Sequence, residues 1–378
     1  MFTKRIAIVS VINDLVTDNR ILRTAEVLRE CGYDVLLAGR QLPGSMPLPA
    51  WPYRAVRMKM IFRTGPFFYF FYNLRLFFLL LFRRADLLVA NDLDTLLPNY
   101  IVSRIKKIPL VYDSHEIFCE VPELQNSPLK KKIWESLEKK ILPRLKYCIT
   151  VNHSIAQIFN KKYGTDFKVV RNISLPVKNI RLKSRAELDL PADKRIVLLQ
   201  GAGINIDRGA EELVYAMKSV ENILLLVIGS GDVWPILEQI VKNEHLEDKV
   251  RLIKKIPKEE LVQYTHNADL GLSIDKPSNL NYLYSLPNKI FDYIQAQVPV
   301  LVSRLPELEL IVNTYKVGEF IDNHEPSHLA VRIGQILKSE KLPFYKSNCG
   351  IASAELNGEK EKEILRDVIM TVGQKMYF

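Results

Sequence analysis

Missing from this chain is any pair of closely spaced cysteines. Cys31, Cys119, Cys148 and Cys349 are scattered over 378 residues. That argues against a disulfide framework or a zinc site and suits a reducing cytoplasm. Missing too is an uninterrupted apolar run of the roughly 20 residues that a spanning helix needs. The nearest candidate, GPFFYFFYNLRLFFLLLF at Gly65–Phe82, has Pro66 near its start and is broken by Asn73 and Arg75. No zinc-finger, homeodomain or RNP-like pattern is present, so no nucleic-acid partner is expected. The first residues, MFTKRIAIVSV, run straight into a strand rather than a cleavable signal. A cytoplasmic protein is expected.

What is present reads as two globular units. The length exceeds one ordinary core. The composition, 48% apolar and 25% charged, is that of a soluble globular protein. The net charge of +10 suits anionic small substrates or an anionic membrane surface. Strand and helix patterns alternate throughout, which predicts α/β architecture with mostly parallel sheets. The first half predicts strands at 5–11, 34–38, 55–58, 86–90, 110–112, 147–151 and 168–170. Periodicity fades over 172–194, a polar stretch with Pro176 and Pro191 that reads as a linker. It resumes with strands at 196–200, 223–229, 250–253, 270–274, 298–302 and 317–321. The expected domains are 1–172 and 178–358, each Rossmann-type. A charged amphipathic helix within 359–378 is expected to cross back to the first domain.

Ligands of open parallel sheets collect beyond the carboxyl ends of the strands. In the second half those ends carry glycine loops. Gly201-Ala202-Gly203 follows one strand, with Arg208-Gly209 before the next helix, and Gly229-Ser230-Gly231 follows another. Glycine lets a phosphate approach the backbone, and arginine offers a bidentate fork. The densest segment is Ser285-Leu286-Pro287-Asn288-Lys289-Ile290-Phe291-Asp292, followed by a buried strand. A proline suits a first helical turn, Lys289 can meet a phosphate, and Asp292 lies three residues on, hence on the same helix face. Diphosphate at the helix start and ribose hydroxyls on the acid would suit a nucleotide-sugar.

In the first half the corresponding ends are polar. Asp113-Ser114-His115-Glu116 places a histidine at a strand end, where it can donate a hydrogen bond to a reacting sugar, with Glu116 to orient it or bind acceptor hydroxyls. Asn91-Asp92-Leu93-Asp94 offers Asp94 as an N-cap and Asp92 toward the cleft. Asp18 again resembles an N-cap, and Arg20 is available to an anionic acceptor; Asn13 lies after the first strand. The aromatic Gly65–Phe82 segment is either a core helix or a helix lying in a lipid interface. Arg83-Arg84 and the lysine clusters at 130–132 and 139–140 favour anionic headgroups.

Taken together, Tyr112–Glu116, Gln200–Gly203 with Arg208-Gly209, Ile228–Gly231 and Ser285–Asp292 resemble the retaining GT-B glycosyltransferases of family 4. The resemblance implies an α/β GT-B fold, two Rossmann-like domains facing across a cleft, with acceptor bound by the first and nucleotide-sugar donor by the second. It implies a hexosyltransferase-type enzyme; the aromatic helix and the basic charge point to a glycan or lipid-linked acceptor in cell-surface polysaccharide or glycolipid biosynthesis, for a protein in the cytoplasm or peripheral on the inner membrane face. It implies that Gly201, Gly203, Arg208, Gly229, Gly231, Asn288, Lys289 and Asp292 serve the donor. Arg208 and Lys289 would hold the diphosphate, Asp292 the ribose, and His115 with Glu116 would be catalytic. Asn13, Asp92 and Arg20 would stand on the acceptor side. No cofactor and no metal are implied, since basic side chains neutralise the diphosphate. Three positions depart from the family pattern. Tyr284 stands where the first of two glutamates is usual, Ala202 or Gly203 where an arginine is usual, and Ile12-Asn13-Asp14-Leu15 replaces a paired-glycine loop. Two other readings share these features, a nucleotide-sugar 2-epimerase and a non-catalytic nucleotide-sugar-binding subunit.

Overall fold

The structure, a computed structural model, describes residues 4–16, 18–125, 127–175, 177 and 180–374. Pro176 and the last four residues lie outside the described residues. The chain divides into two compact units, Met1–Asn172 with Glu359–Phe378, and Ile173–Gly358.

The first unit holds seven parallel strands: β1 (Arg5–Asp14), β2 (Tyr33–Gln41), β3 (Arg54–Lys59), β4 (Leu87–Asn91), β5 (Leu110–Ser114), β6 (Tyr147–Thr150) and β7 (Phe167–Val169). Their spatial order is β3-β2-β1-β4-β5-β6-β7. The second unit holds six: β8 (Arg195–Gly201), β9 (Ile223–Gly229), β10 (Val250–Lys254), β11 (Leu270–Ser273), β12 (Val300–Ser303) and β13 (Gly318–Ile321). Their order is β10-β9-β8-β11-β12-β13. Both are doubly wound sheets, with strand order reversing between β1 and β4 and between β8 and β11. Those two switch points are where such sheets bind ligands. The central strands are apolar and buried on both faces, as in ILLLVIG of β9, because helices cover both sides of a parallel sheet.

The polar stretch before β8 is not a free linker. Ile173 and Leu190 are buried in the second unit's core, and Gln263 accepts the Lys183 N–H at 2.8 Å. Two apolar anchors outweigh a polar average. The Gly358–Gln374 helix packs in the first unit, where Leu365, Ile369 and Val372 join the core containing Val35 and Val9. Lys362 pairs with Glu30 at 3.0 Å, and Glu361 accepts the Arg171 N–H at 2.6 Å.

The Gly65–Phe82 helix is long and apolar enough to cross a membrane, yet it connects β3 to β4 of one sheet. Both ends return to the same sheet, so it cannot span a bilayer while that sheet is intact. Only Phe68, Tyr72, Leu76 and Leu80 are buried, one narrow stripe at four-residue spacing. Phe67, Phe70, Phe71, Leu74, Phe78 and Phe82 are exposed.

The Lys289–Gln295 helix ends in a Schellman turn. The Val298 N–H donates to Tyr293 O at 2.9 Å and the Gln297 N–H to Ile294 O at 3.0 Å. This holds Gln297 at φ 58°, a position that suits glycine. Gln297→Gly is expected to stabilise the protein by about 0.5–1 kcal/mol, the relief of left-handed strain less the greater entropy of the unfolded chain. Denaturant midpoints check it; a lower midpoint would mean the side chain contributes more than its strain costs.

Candidate functional site

At the β4–β5 ends of the first unit, His115 is held between acids. Its Nδ1 lies 3.1 Å from Asp92 Oδ2, its Nε2 3.2 Å from Asn91 Oδ1 and 3.6 Å from Asp113 Oδ2. Asn91 Nδ2 donates to Ser10 O at 2.9 Å, which turns the amide oxygen toward the ring. Both ring nitrogens therefore face acceptors, and both are donors. Burial opposes the imidazolium, but Asp92 and Asp113 outweigh it and hold the pKa well above the ordinary histidine value. The side chain keeps 20% exposure, so one face of the ring remains accessible.

The support behind His115 is built from distant parts of the chain. Asp113 is buried, which would raise its pKa. Arg20 and His115 reverse that and hold the carboxyl well below the usual range. Arg20 grips it with Nε at 2.8 Å and Nη2 at 2.6 Å, and gives Nη1 to Val170 O at 2.8 Å. Arg20 is therefore not an acceptor-side residue: its guanidinium is fully used in a buried ion pair. Asp92 has a supporting task that its sequence reading did not include. Its Oδ1 accepts the His115 N–H at 2.8 Å, and its own N–H donates to Asp113 O at 2.8 Å. It does so at φ 57°, ψ 169°, a backbone region that costs a non-glycine residue about 1–3 kcal/mol. Strain of this kind persists where the surrounding contacts over-determine it.

Asp94 was expected to cap the next helix, but Asp92 holds the cap position and Asp94 lies within the Leu93–Lys106 helix. It is 5% exposed, and its Oδ1 has no hydrogen-bond partner. Burial, then the neighbouring Asp92, raises its pKa well above the carboxylate range. Asp94, Glu116 and the exposed Asn13 line one apolar cavity of about 990 Å³ in this unit. Asp18 does cap its helix, accepting the Arg20 N–H at 3.2 Å.

In the second unit the site forms at the β8–β11 switch. Asp275, directly beyond β11, is wholly buried. Arg208 Nη1 lies 3.3 Å from its Oδ2, and Lys289 Nζ 3.9 Å from its Oδ1. The Arg208 guanidinium sits 4.3 Å from the Tyr282 ring centroid, and its buried Nε has no partner. Burial opposes both cations. Asp275 overcomes this for Arg208, whose pKa is raised; burial prevails for Lys289, whose pKa is lowered. Two cations share one carboxylate, which leaves the cluster one positive charge in excess and ready for an anion.

The glycines divide into two kinds. A Cβ at Gly229 would fall 1.8 Å from Gly201 O, and one at Gly231 would fall 1.9 Å from Ile204 O. The loops after β8 and β9 are joined there, with the Ile204 N–H donating to Ser230 O at 2.8 Å. Loop packing therefore requires glycine at positions 229 and 231 whatever ligand binds there. Gly201 and Gly203 have room for a Cβ at ordinary contact distance, so no protein atom requires them. Gly209, at φ 75° and with a Cβ 2.6 Å from Ile274 O, lets the Arg208 turn pass close to the strand end that leads into Asp275.

The elbow differs in detail from its sequence reading. Asn288 is the exposed N-cap, with no side-chain cap bond, and Pro287 precedes it rather than entering the first turn. The helix has only seven residues, so the positive charge here rests on Arg208 and Lys289 and not on a helix dipole. Lys289 and Asp292 share the helix but meet different surroundings. Asp292 Oδ2 accepts from Gln200 Nε2 at 3.0 Å, beside a small cavity of about 130 Å³ also lined by Lys258 and Gln295. Burial pushes its pKa up to about 6, against Lys258 and Gln200. Tyr284 ends the Leu280–Leu283 helix.

Tyr282, Asn91 and Asp94 were not singled out as site residues by sequence reasoning, and Asp275 stood out only as one of the polar residues at strand ends. For Asp275 a signal existed, an acid immediately beyond an apolar strand at a switch point.

Comparison with known proteins follows this division. The family model Glycosyltransferase Family 4 matches residues 18–177, and Glycosyl transferases group 1 matches 181–348. No curated protein sequence matches the chain. Among solved structures, sucrose-phosphate synthase from Thermosynechococcus elongatus is 16% identical, with TM-score 0.72, over 99% of this chain and 97% of that one. Anabaena Alr3699/HepE, in complex with UDP and glucose, is 16% identical, with TM-score 0.74, over 97% and 100%. WaaG, a glycosyltransferase involved in lipopolysaccharide biosynthesis, is 14% identical, with TM-score 0.74, over 96% and 99%. At these identities the structural likeness speaks for the GT-B fold, while the two family models together take in nearly the whole chain: it belongs to the family 4, group 1 glycosyltransferases.

Proposed function

We propose that the protein is a retaining hexosyltransferase that moves a sugar from a nucleoside-diphosphate sugar to a hydroxyl of a glycan or lipid-linked acceptor, in cell-surface polysaccharide or glycolipid biosynthesis on the inner membrane face. One observation carries the reading. Arg208 and Lys289 converge on the single buried carboxylate of Asp275, with positive charge in excess at the ligand-binding switch of the sheet. A diphosphate completes that charge balance. Arg208 and Lys289 hold it and take up the negative charge that grows as the bond from C1 of the sugar to the phosphate oxygen breaks. Asp275 positions both cations. The two side chains supply the positive charge a metal would otherwise bring, so the reaction needs none. Asp292 accepts from the ribose hydroxyls.

His115, held as an imidazolium, is no base. It donates a hydrogen bond to the transferred sugar, and Glu116 binds acceptor hydroxyls. The bonding pair of the cleaved bond stays on the diphosphate. The acceptor oxygen bonds to C1 on the same face, and its proton passes to the departing diphosphate. The UDP complexes of HepE make UDP-sugars the first donors to test. The purified protein, given a panel of nucleotide-sugars, is expected to bind at least one and release its nucleoside diphosphate. Binding of none and release from none would sink the proposal.

The Asp292 assignment has a pH signature. With a pKa of about 6, the carboxylate is lost as pH falls from 7 to 5, so UDP should bind about tenfold more weakly at pH 5 than at pH 7. Asp292→Asn should bind weakly and flatten this limb in a calorimetric titration. The stability effect has the opposite sign. A folded-state acid with raised pKa costs stability above about 6, and that cost fades as pH falls toward the unfolded value. A UDP affinity unchanged from pH 7 to 5 would remove Asp292 from the ribose.

A further inference from the structure

The 990 Å³ cavity of the first unit lies between the Gly65–Phe82, Leu93–Lys106 and Pro128–Ile141 helices. Its walls include Phe70, Phe77, Leu97, Ile101, Phe118 and Trp134. Its volume is at the upper end of the range for small-molecule sites. Three features limit what can fill it. Phe70, Leu97 and Ile101 are both lining residues and exposed, at 60%, 38% and 38%, so the cavity is a groove open along one side. That open side is continuous with the unpartnered aromatic face of the Gly65–Phe82 helix. Its inner wall carries Asp94, 95% buried by the exposure above, with Oδ1 lacking any hydrogen-bond partner. Apolar walls with one unsatisfied polar atom at depth match a ligand that is mostly hydrocarbon and carries a polar group on one end.

We propose that this groove takes the hydrocarbon chain of a lipid acceptor, with Asp94 hydrogen-bonding the chain's terminal hydroxyl. The proposal rests on the glycosyltransferase reading and names the acceptor class for it. Glu116 lines the same groove and adjoins His115, so a hydroxyl seated at Asp94 lies close to the proposed sugar-binding histidine. The exposed Phe67, Phe71, Phe78 and Phe82 form the surface on which such a chain leaves the bilayer. Lys130 at the groove and Arg83-Arg84 at the helix end favour an anionic leaflet.

Trp134 is a built-in reporter. The chain has three tryptophans, and a Trp51→Phe/Trp234→Phe background leaves it alone. The probes are 8-bromo-1-octanol, 11-bromo-1-undecanol and 1-bromoundecane, whose bromine quenches tryptophan fluorescence on contact. Saturable quenching is expected, on the order of fiftyfold tighter for the undecanol than for the octanol, since each buried methylene is worth about fourfold. Bromoundecane, without the hydroxyl, should bind about tenfold more weakly than bromoundecanol. That preference should vanish in Asp94→Leu and persist in Asp94→Asn, which keeps a hydrogen-bonding amide. Ile101→Glu, a charge at the open rim, should weaken binding at least tenfold.

Non-saturable quenching, no dependence on chain length, or equal binding by Ile101→Glu would overturn the proposal. Far-UV circular dichroism and the denaturant midpoint show that each variant is folded, and UDP titration separates the two readings. UDP binding without alcohol binding sinks the groove and leaves the transferase standing. Alcohol binding without any nucleotide or nucleotide-sugar binding does the reverse.

Discussion

Arg208→Ala is expected to lower kcat/KM for sugar transfer by about 10³-fold, close to 4 kcal/mol of transition-state stabilisation. The loss should fall more on kcat than on KM, because charge on the leaving diphosphate is greater in the transition state than in the bound donor. The alanine variant also leaves Asp275, wholly buried, with only Lys289 at 3.9 Å. Breaking a buried pair in this way costs about 3–5 kcal/mol of stability. Arg208→Lys therefore serves as the discriminating variant. It keeps one positive charge beside Asp275 but loses the fork and the contact with Tyr282 at 4.3 Å. It should stay folded at 25 °C and still lose on the order of tenfold in kcat. Full activity in Arg208→Lys would show that the site needs only a point charge. Full activity in Arg208→Ala would remove the diphosphate assignment altogether.

His115→Ala is expected to reduce kcat by about 10²–10³-fold while leaving donor affinity almost unchanged, because the proposed role of the ring is to stabilise the reacting sugar and not to hold the diphosphate. Retained donor binding with lost transfer also separates an enzyme from a nucleotide-sugar-binding subunit. The histidine carries a pH signature as well. Its folded pKa lies above the unfolded value of about 6.5, so it stabilises the fold fully below that pH and loses this contribution as pH rises through the folded pKa. The stability gap between wild type and His115→Ala should therefore shrink toward alkaline pH. Asp92→Gly isolates the positioning role of Asp92. Glycine accepts φ 57°, ψ 169° without strain, so the fold should keep its stability, while the ring loses its Nδ1 anchor and kcat falls about 10²-fold. Unchanged kcat in that variant would mean the strained aspartate does not position the histidine.

Much of the architecture was legible in local pattern. All thirteen strands of the described residues fall within a few residues of the positions read from alternating apolar runs and turn residues. Periodicity is a property of neighbouring residues, and strands buried on both faces announce themselves as short apolar runs. The Ser285–Asp292 elbow was also legible, since Lys289 and Asp292 stand just before an apolar strand. The errors have a common form. Arg20, on a helix, looked free because its partner, Asp113, is 93 residues away on strand β5. The packing requirement on Gly229 and Gly231 was missed because the loop that packs against them follows a different strand. Asp94 looked like a cap because spacing alone cannot tell which of Asp92 and Asp94 precedes the helix.

The sequence by itself determined the two-unit α/β plan, the order of its elements and which strand ends carry polar chemistry. Those depend on burial periodicity and turn residues, which act over a few positions. Only the tertiary structure decided which charges meet. It placed Asp275 between Arg208 and Lys289, Asp92 and Asp113 around His115, and an unsatisfied Asp94 Oδ1 in an apolar groove. Such pairings follow from which strands become neighbours where strand order reverses. At those points the energy of a charge is set by the burial and the partner that neighbouring strands supply.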